Sequence, residues 1–235
     1  MSSGPSVLTP ATHAETTRRR RGPLSRSDSA QLKARILDCA ERLFAEHGYD
    51  GTSIRDIAAL AQVQLAMVGY HYGAKDQLLD AVLSRRAAVL GSERMQALSA
   101  ARARFPGPVP PEVLIGDFVQ CFLARAARRD SGWRSYAKLV ADLANSSSWG
   151  ALVSKHYDDV ARAYIEELQR NYPDADPEKI VQGFFYIAGV MVAACSRPGR
   201  IERLSHARYR SVDLTAMLPN MVQFMAGGLD RLARS

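Results

Sequence analysis

The stretch from Thr52 to Leu79 constrains the fold of this chain more than any other segment. Thr52 and Ser53 carry side-chain oxygens that can accept a hydrogen bond from the first free backbone N–H groups of a helix. Apolar and small residues then recur at the spacing of one helical face, at Ile54, Ile57, Ala58 and Ala61. The pattern breaks at residues 62–64, and a second short helix is predicted over residues 65–72. Two short helices joined by a tight turn form a helix-turn-helix, and the second helix of that motif enters the major groove of DNA.

The same stretch resembles the DNA-binding domain of the tetracycline-repressor (TetR) family of bacterial transcription regulators. The matching positions are Thr52, Ser53, Ile57, Ala58, Ala61, Val63, Val68, Tyr70, His71, Tyr72, Lys75, Asp76 and Leu78. Four positions depart from the family pattern: Gln62 replaces glycine, Gln64 a small polar residue, Gly69 tyrosine or asparagine, and Ala74 serine or asparagine. The agreement covers about residues 30–80 and includes apolar, small, aromatic and basic positions.

The resemblance implies DNA contacts for residues of both helices and of the segment that follows. Arg55 matches a position that contacts bases or phosphates, and the groove-facing positions are Gln64, Leu65, Ala66, Gly69 and Tyr70. The phosphate-contact positions are Thr52, His71 and Lys75. Phosphate contacts set the register of a protein on DNA, whereas base contacts set sequence preference. The alternatives are a packing role for Tyr70 and a partly buried helix-end position for His71.

Charge alone does not identify a DNA-binding chain here. The net charge is +7, yet residues 29–86 carry seven basic and seven acidic residues. The apolar share of 47% is ordinary for a globular protein. The odd number of cysteines, three, indicates free thiols in a reducing cytoplasm. We expect no stretch to reach the length and apolarity of a transmembrane helix, and hence no membrane partner.

Helical periodicity continues through the chain, and the predicted fold is all-α. Residues 1–28 form a predicted disordered basic arm, residues 29–75 a helix-turn-helix DNA-binding domain, and residues 76–235 a larger helical effector-binding and dimerisation domain. The predicted helices outside the motif are 29–46, 76–103, 112–129, 133–145, 149–171, 177–196 and 214–233. For residues 18–21, all arginine, two interpretations stay open: a solvated tail, and a contact with phosphates or the minor groove.

The large helical domain is rich in aromatic and aliphatic residues. The resemblance implies an effector held inside this domain, with a pocket lined by Phe118, Phe122, Trp133, Tyr136, Trp149, Phe184, Phe185 and Met191. Residues of these types at helical spacing are also typical of an ordinary packed core. The predicted effector is a small, largely apolar molecule, an acyl chain or acyl-thioester in the first instance and an aromatic or drug-like compound in the second.

Small residues mark the last two long helices. In the TetR family these helices pair with their symmetry mates, so the resemblance implies a homodimer interface that includes Gly183, Gly189, Ala193, Ala226 and Gly227. Packing within one chain is the alternative. A basic segment between the same helices contains Arg197, Arg200, Arg203, Arg208 and Arg210. It is interpreted either as a solvated loop or as a site for the phosphate groups of an effector, and the C-terminal segment is loosely similar to family members linked to fatty-acid metabolism.

The predicted function is a transcriptional regulator, a repressor that leaves a pseudo-palindromic operator in double-stranded DNA when its effector binds. An architectural DNA-binding protein without an effector is the alternative. An enzyme is disfavoured because His156, Asp158 and Asp159 have no accompanying nucleophile motif. We expect no cofactor and no metal site, since the histidines and cysteines lack metal-ligand spacing.

Overall fold

The computed structural model describes residues 26–128, 132–196, 199–210 and 214–235. In those residues the chain forms helices and no β-strand, which confirms the predicted all-α fold. The helices are α1 (Arg26–His47), α2 (Ile54–Leu60), α3 (Leu65–Tyr72), α4 (Lys75–Arg104), α5 (Pro111–Ala126), α6 (Trp133–Ala144), α7 (Gly150–Gln169), α8 (Pro177–Ser196), α9 (Arg200–Leu204) and α10 (Leu214–Ala233). Most of the arm predicted for residues 1–28 lies outside the described residues, as does Arg197.

Several helix boundaries differ from the prediction by one to three residues, and one helix was not predicted. Helix α1 begins at Arg26, so the end of the predicted arm is helical. Asp28 lies in its first turn, where a negative charge is stabilised by the free N–H groups of a helix N-terminus. Helix α9 was not predicted, because five residues are too few to show helical periodicity.

Helices α1, α2 and α3 form a small N-terminal head. Helices α2 and α3 pack against each other, and they pack against α1 and α4 respectively. The side chains at the centre of this packing, Ile36, Phe44, Ile57 and Val68, have no exposed surface. These residues hold the two short helices of the motif in position, since a helix of seven or eight residues is marginal by itself.

The larger body is built from α4 to α10. Helix α4 starts at the head and runs into the body, where it packs on α5 and α7. Helix α10 packs on α5 and α8, and α6 connects α1 to α8. The buried apolar side chains of head and body form one continuous cluster. The boundary proposed between residues 75 and 76 therefore falls at the start of a helix that both parts share.

Two buried carboxylates tie separate segments together. Glu41 of α1 accepts hydrogen bonds from Arg85 (3.0 Å) and Arg86 (2.8 Å) of α4. Glu167 of α7 accepts from the Arg102 side chain at 2.7 Å and from the backbone N–H of Val109 at 3.2 Å. Each buried negative charge is thus paired with a guanidinium, as a buried ion requires.

Helix α8 is more apolar than the sequence analysis expected. It is long enough, and its mean hydropathy of 1.5 is high enough, for a membrane-crossing helix. The expectation that no stretch reaches this length and apolarity was therefore wrong. In the structure α8 packs on α5, α6, α7 and α10, and a single apolar helix of this kind also occurs inside packed domains.

Candidate nucleic-acid interface and effector site

The first helix of the motif is closed by a reciprocal cap. The Ser53 hydroxyl accepts from the backbone N–H of Asp56 at 3.2 Å, and the Asp56 carboxylate accepts from the backbone N–H of Ser53 at 3.0 Å. Hydrogen bonds from Ser53 lower the pKa of Asp56. The sequence analysis named both Thr52 and Ser53 for this cap, and in the structure Ser53 is the N-cap.

Thr52 has a structural position instead of the phosphate contact that the resemblance implied. Its side chain is buried, and its hydroxyl lies 2.8 Å from the carbonyl oxygen of Gly48 and 3.0 Å from that of Leu43. Both acceptors belong to the end of α1 and the turn after it. The hydroxyl therefore connects the end of α1 to the start of α2, and it is not accessible to DNA.

The second helix of the motif presents a clear outer face. The predicted groove-facing residues Gln64, Leu65, Ala66, Gly69 and Tyr70 are all exposed, with Tyr70 at 81%. A side chain added at Gly69 would meet no atom within 4 Å. The opposite face holds Val68, which is fully buried.

Tyr72 anchors the end of this helix to α1. Its hydroxyl donates to the Lys33 carbonyl at 2.9 Å. Together with the burial of Val68, this contact separates an inner face that packs from an outer face of α3 that is available for a groove.

The remaining candidates lie on either side of that face. Arg55 is exposed on α2, and His71 is half-buried near the end of α3. Lys75 is the first residue of α4, and its Nζ atom lies 4.0 Å from the centre of the Tyr49 ring. That cation–π contact keeps the lysine side chain beside Tyr49, which lies shortly before the motif in the sequence.

The aromatic residues expected to line the effector pocket divide into three groups. Most are buried in the body: Phe118, Phe122, Trp133, Tyr136, Phe184 and Met191. Phe118 is edge-on to Phe184, with ring centres 4.9 Å apart, and Trp133 is edge-on to Tyr136 at 5.6 Å. Trp149 lies at the junction with the head, 4.5 Å from the Tyr49 ring centre.

Phe185 does not belong to this cluster. Its side chain is 72% exposed, whereas its neighbour Phe184 is buried. Successive residues on a helix are about 100° apart, and here Phe184 faces the body whereas Phe185 points away from it. The assignment of Phe185 to the effector pocket is therefore wrong in this structure.

An open cavity of about 350 Å³ lies between α4 and α5. Its walls are formed by Glu93, Ala97, Asp117, Gln120, Cys121, Ala124, Arg125 and Arg128. Arg125 Nε donates to Glu93 Oε2 at 3.0 Å across one wall, and burial raises the pKa of Asp117. None of the predicted pocket residues lines this cavity, although Phe118 is the direct neighbour of Asp117.

Arg94 is a candidate residue that the sequence analysis missed. It lies on the buried face of α4, and its guanidinium carbon is 3.7 Å from the centre of the Phe118 ring. The signal was present in the sequence, because Leu90, Arg94 and Leu98 recur every four residues on the inner stripe of one helix. A charged residue in that register indicates either a structural ion pair or a site.

The small residues of α8 and α10 also divide into two groups. A side chain at Gly183 would lie 2.4 Å from Leu229 Cδ1 of α10, and Ala226 is buried, so these two residues serve packing within the chain. Gly189 and Gly227 have open space around them, and Ala193 is exposed. The interface assigned to Gly183 and Ala226 is therefore not supported, while the other three positions remain accessible.

The outer faces of α8 and α10 carry large apolar side chains that the sequence analysis did not assign. Phe185 and Phe224 are each 72% exposed, and Val181 and Tyr186 are exposed as well. The exposed basic residues Arg200, Arg203, Arg208 and Arg210 lie on and after the short helix α9, between these two helices in the sequence.

The residues considered for enzymatic chemistry have other partners. His156 Nε2 lies 2.6 Å from Asp80 Oδ1 of α4, and the exposed Asp159 pairs with Arg162 at 2.6 Å. Within the described ranges no group of histidine, cysteine, aspartate or glutamate side chains is arranged to hold a metal ion.

Two descriptions of known protein families match this chain. "Bacterial regulatory proteins, tetR family" matches residues 36–82, which include the whole helix-turn-helix. "Tetracyclin repressor-like, C-terminal domain" matches residues 117–228, which include the aromatic cluster. Together the two matches cover more than half of the chain.

Individual proteins of known sequence or structure are also similar to it. An HTH-type transcriptional repressor of Mycobacterium tuberculosis is 51% identical over 67 residues, and the match spans 28% of this chain but only 34% of that relative. The structure of the fatty acid degradation regulator FadR from Bacillus halodurans covers 90% of this chain and 98% of its own, with a TM-score of 0.63 and 17% identity. FadR from Bacillus subtilis in complex with stearoyl-CoA covers 83% of this chain and 98% of its own, with a TM-score of 0.58 and 13% identity. At such identities the structural likeness concerns the fold alone.

Proposed function

Because the chain belongs to the TetR family of bacterial transcription regulators, we propose that it is a repressor that binds an operator through α3 and is released by a small effector bound in the body. The observation that carries the proposal is the two-sided arrangement of α3. Its inner face is anchored by Val68 and Tyr72, and its outer face carries exposed Gln64, Leu65 and Tyr70. A rigid helix with an unpaired outer face is what major-groove recognition requires.

The experiment that tests DNA recognition is selection of binding sites from random duplex DNA, followed by fluorescence anisotropy with the selected sequence. We expect a pseudo-palindrome whose half-sites lie about 34 Å or more apart, because two recognition helices related by a twofold axis read successive major grooves. Selection of a single asymmetric site, or of no sequence at all, would contradict this proposal and favour an architectural DNA-binding protein.

A homodimer is the form in which we propose that the protein binds DNA. The support comes from the exposed apolar faces of α8 and α10, which carry Phe185 and Phe224 beside Gly189 and Gly227. Large exposed apolar patches on folded proteins mark interaction surfaces. A second copy of the same surface satisfies twofold symmetry, since such an interface pairs identical patches.

The proposed effector is small and largely apolar. An acyl or acyl-thioester ligand is the first candidate, in view of the fold shared with FadR from Bacillus subtilis, whose structure contains stearoyl-CoA. The exposed arginines Arg200, Arg203, Arg208 and Arg210 are then candidates for the phosphate groups of a thioester. An aromatic compound is the second candidate, because the body core is itself aromatic.

Release from DNA is proposed to follow from coupling between the two sites. A ligand that favours a spacing of the recognition helices unsuited to DNA lowers DNA affinity, and DNA lowers ligand affinity by the same factor. Titration of the operator-bound protein with long-chain acyl-thioesters, free fatty acids and aromatic acids tests this. Release by none of these compounds would contradict the effector proposal.

The proposal places the protein in the cytoplasm, where its DNA is found. It assigns the chain no catalytic activity, in keeping with the regulatory family to which it belongs. A turnover assay with the compounds that bind the body would detect hydrolysis or transfer and would contradict this assignment.

A further inference from the structure

Arg94 is a buried cation for which the described residues supply no anion. The buried polar or charged side chains of the structure are Glu41, Thr52, Arg94 and Glu167. Both glutamates pair with arginines, and the threonine hydroxyl meets two carbonyl groups. Arg94 is only 4% exposed, yet within the described ranges no carboxylate forms an ion pair with it.

The groups that do contact Arg94 are neutral. Its Nε atom donates to the Phe118 carbonyl at 3.0 Å, and its Nη2 atom lies 3.3 Å from the Met191 sulfur. A guanidinium carries five N–H donors, and a thioether is a weak acceptor. The guanidinium carbon of Arg94 also lies 3.7 Å from the centre of the Phe118 ring. These contacts leave donor capacity unused and pair the positive charge with no anion in the described residues.

Among the described residues, the titratable groups that act most strongly on Arg94 supply no negative charge either. The titratable groups that act on it most strongly are Cys121, Tyr157, Tyr164 and Tyr136. Burial raises the pKa of Tyr157 to about 12, and it also raises the pKa of the Cys121 thiol. Both groups are thus neutral near pH 7. Burial lowers the pKa of Arg94 itself, but an arginine stays protonated in proteins.

We propose that the effector carries a single free carboxylate and that this carboxylate pairs with Arg94 inside the body. The proposal rests on the effector function proposed above and narrows its chemistry. Phe118 and Met191, which contact the guanidinium, both belong to the cluster expected to receive the effector. The charged end of the ligand is thereby placed beside Arg94 and its apolar part among aromatic side chains.

A monocarboxylate fits this position better than the other anions an effector could carry. The planar guanidinium matches the two oxygens of a carboxylate, and one negative charge balances one positive charge. A phosphate dianion would leave a net charge buried, since none of the groups acting most strongly on Arg94 is a cation. The carbonyl of an acyl-thioester carries no charge, so free acids are favoured over their thioesters.

The cavity between α4 and α5 lies on the two helices that carry Arg94 and Phe118, although neither residue lines it. Cys121 lies on its wall and also interacts electrostatically with the guanidinium. Its volume of about 350 Å³ is at the lower end of the range found for small-molecule sites. A small or medium-sized acid bound at Arg94 would therefore enter past Cys121.

The test compares acids with their methyl esters, which have the same apolar part and no charge. Octanoate, palmitate and phenylacetate, each paired with its methyl ester, are titrated into the full chain by calorimetry. We expect at least one acid to bind about tenfold or more tighter than its ester, as a hydrogen-bonded charge pair implies. In Arg94→Met the affinity for that acid should fall by about the same factor, and the affinity for the ester should stay unchanged.

Arg125→Met is the matched control, because Arg125 lines the same cavity but already pairs with Glu93. This variant should keep the preference for the acid. Arg94→Lys keeps the charge without the planar fork and should retain part of the preference. The proposal is wrong if Arg94→Met lowers the affinity for the acid and for the ester equally. It is also wrong if Arg125→Met reduces the preference for the acid as much as Arg94→Met does.

Thermal unfolding without ligand gives an independent readout. A buried arginine that lacks an anion destabilises the empty protein, so Arg94→Met should raise the Tm. An arginine with only a structural role would lower the Tm on removal. Failure of every acid to bind the wild-type chain would overturn the proposal for Arg94. An acid that binds through Arg94 but leaves the operator complex intact would instead contradict only the proposed release from DNA.

Discussion

At the scale of single residues, the turn between the two helices of the motif contains a residue in an unusual conformation. Gln62 has a φ of 54°, in the left-handed region that costs a residue with a side chain about 1–2 kcal/mol. The TetR pattern has glycine at this position, and the structure gives the reason, because glycine enters this region without steric cost.

Gln62→Gly should therefore stabilise the head. We expect the free energy of unfolding to rise by about 0.5–1 kcal/mol, after allowance for the greater freedom of glycine in the unfolded chain. Ala59→Gly in the preceding helix is the control, because Ala59 is an exposed residue inside α2 and should lose stability on the change to glycine. Chemical denaturation of both variants measures the difference, and equal effects would contradict the assignment of strain to Gln62.

DNA contacts at Gln64 and Lys75 should differ in kind. Gln64→Ala is expected to relax the preference at one base step by about 1–3 kcal/mol, if its amide pairs with a base in two hydrogen bonds. Lys75→Ala should lower affinity for all sequences about equally and reduce the salt dependence of binding. Binding-site selection with both variants, at two salt concentrations, distinguishes them. A uniform loss for Gln64→Ala would identify it as a phosphate contact.

At the scale of helices, α8 packs tightly on α10 at Gly183. Its Cβ position is 2.4 Å from Leu229 Cδ1, and Leu229 is buried. Gly227 lies on α10 with no atom within 4 Å of its Cβ position. The two glycines therefore share a sequence context, small residues on an apolar helix, but have different surroundings.

Alanine at these two positions should have opposite effects on the isolated chain. Gly183→Ala is expected to destabilise it by about 1–3 kcal/mol, because the methyl group overpacks the contact with α10. Gly227→Ala should stabilise helix α10 by up to about 1 kcal/mol, since alanine favours the helix over glycine. Thermal unfolding at low protein concentration compares the two. Destabilisation by both substitutions to the same extent would show that Gly227 is also packed.

A second feature at this scale is the junction between the head and the body. The Tyr49 ring contacts Trp149 just before α7, and its hydroxyl hydrogen-bonds to Asp76 at the start of α4. Lys75, a proposed DNA contact, lies over the same Tyr49 ring, with its Nζ atom 4.0 Å from the ring centre. Tyr49 thus contacts residues next to or at the start of α7 and α4, including Lys75.

At the scale of the whole molecule, the apolar face of α8 and α10 stays exposed in the single chain. Phe185→Ser and Phe224→Ser should each weaken self-association, because each removes a large apolar side chain from the proposed interface. DNA affinity should fall in parallel, since one recognition helix covers only part of an operator. Sedimentation velocity and operator binding measure the two effects. Unchanged association in both variants would place the dimer interface elsewhere.

A matched control for this prediction is Tyr209→Ser. Tyr209 is also exposed and aromatic, but it lies after α9 and outside the faces of α8 and α10. We expect it to leave association and DNA binding unchanged. An equal loss for Tyr209→Ser would mean that the apolar surface of the chain promotes non-specific association.

The sequence by itself determined the all-helical fold and the place of the helix-turn-helix. Helical periodicity, Gly48 after the first helix and Asp176 before Pro177 are local signals. The structure retains them, with Gly48 at a φ of 75° and Asp176 accepting from the backbone N–H of Glu178. Local signals suffice because backbone hydrogen bonds and caps depend on residues a few positions apart.

Only the tertiary structure decided which residues of equal character became core, surface or site. In the structure Phe184 is buried and Phe185 is exposed. Gly183 packs against Leu229, whereas Gly227 has open space around it. The Thr52 hydroxyl points inward, towards the carbonyl of Gly48. The tertiary structure also placed Arg94 against the Phe118 ring, with no carboxylate paired to it in the described part of the chain. These outcomes depend on which helices meet and at what rotation, and contacts between residues distant in the chain set that geometry.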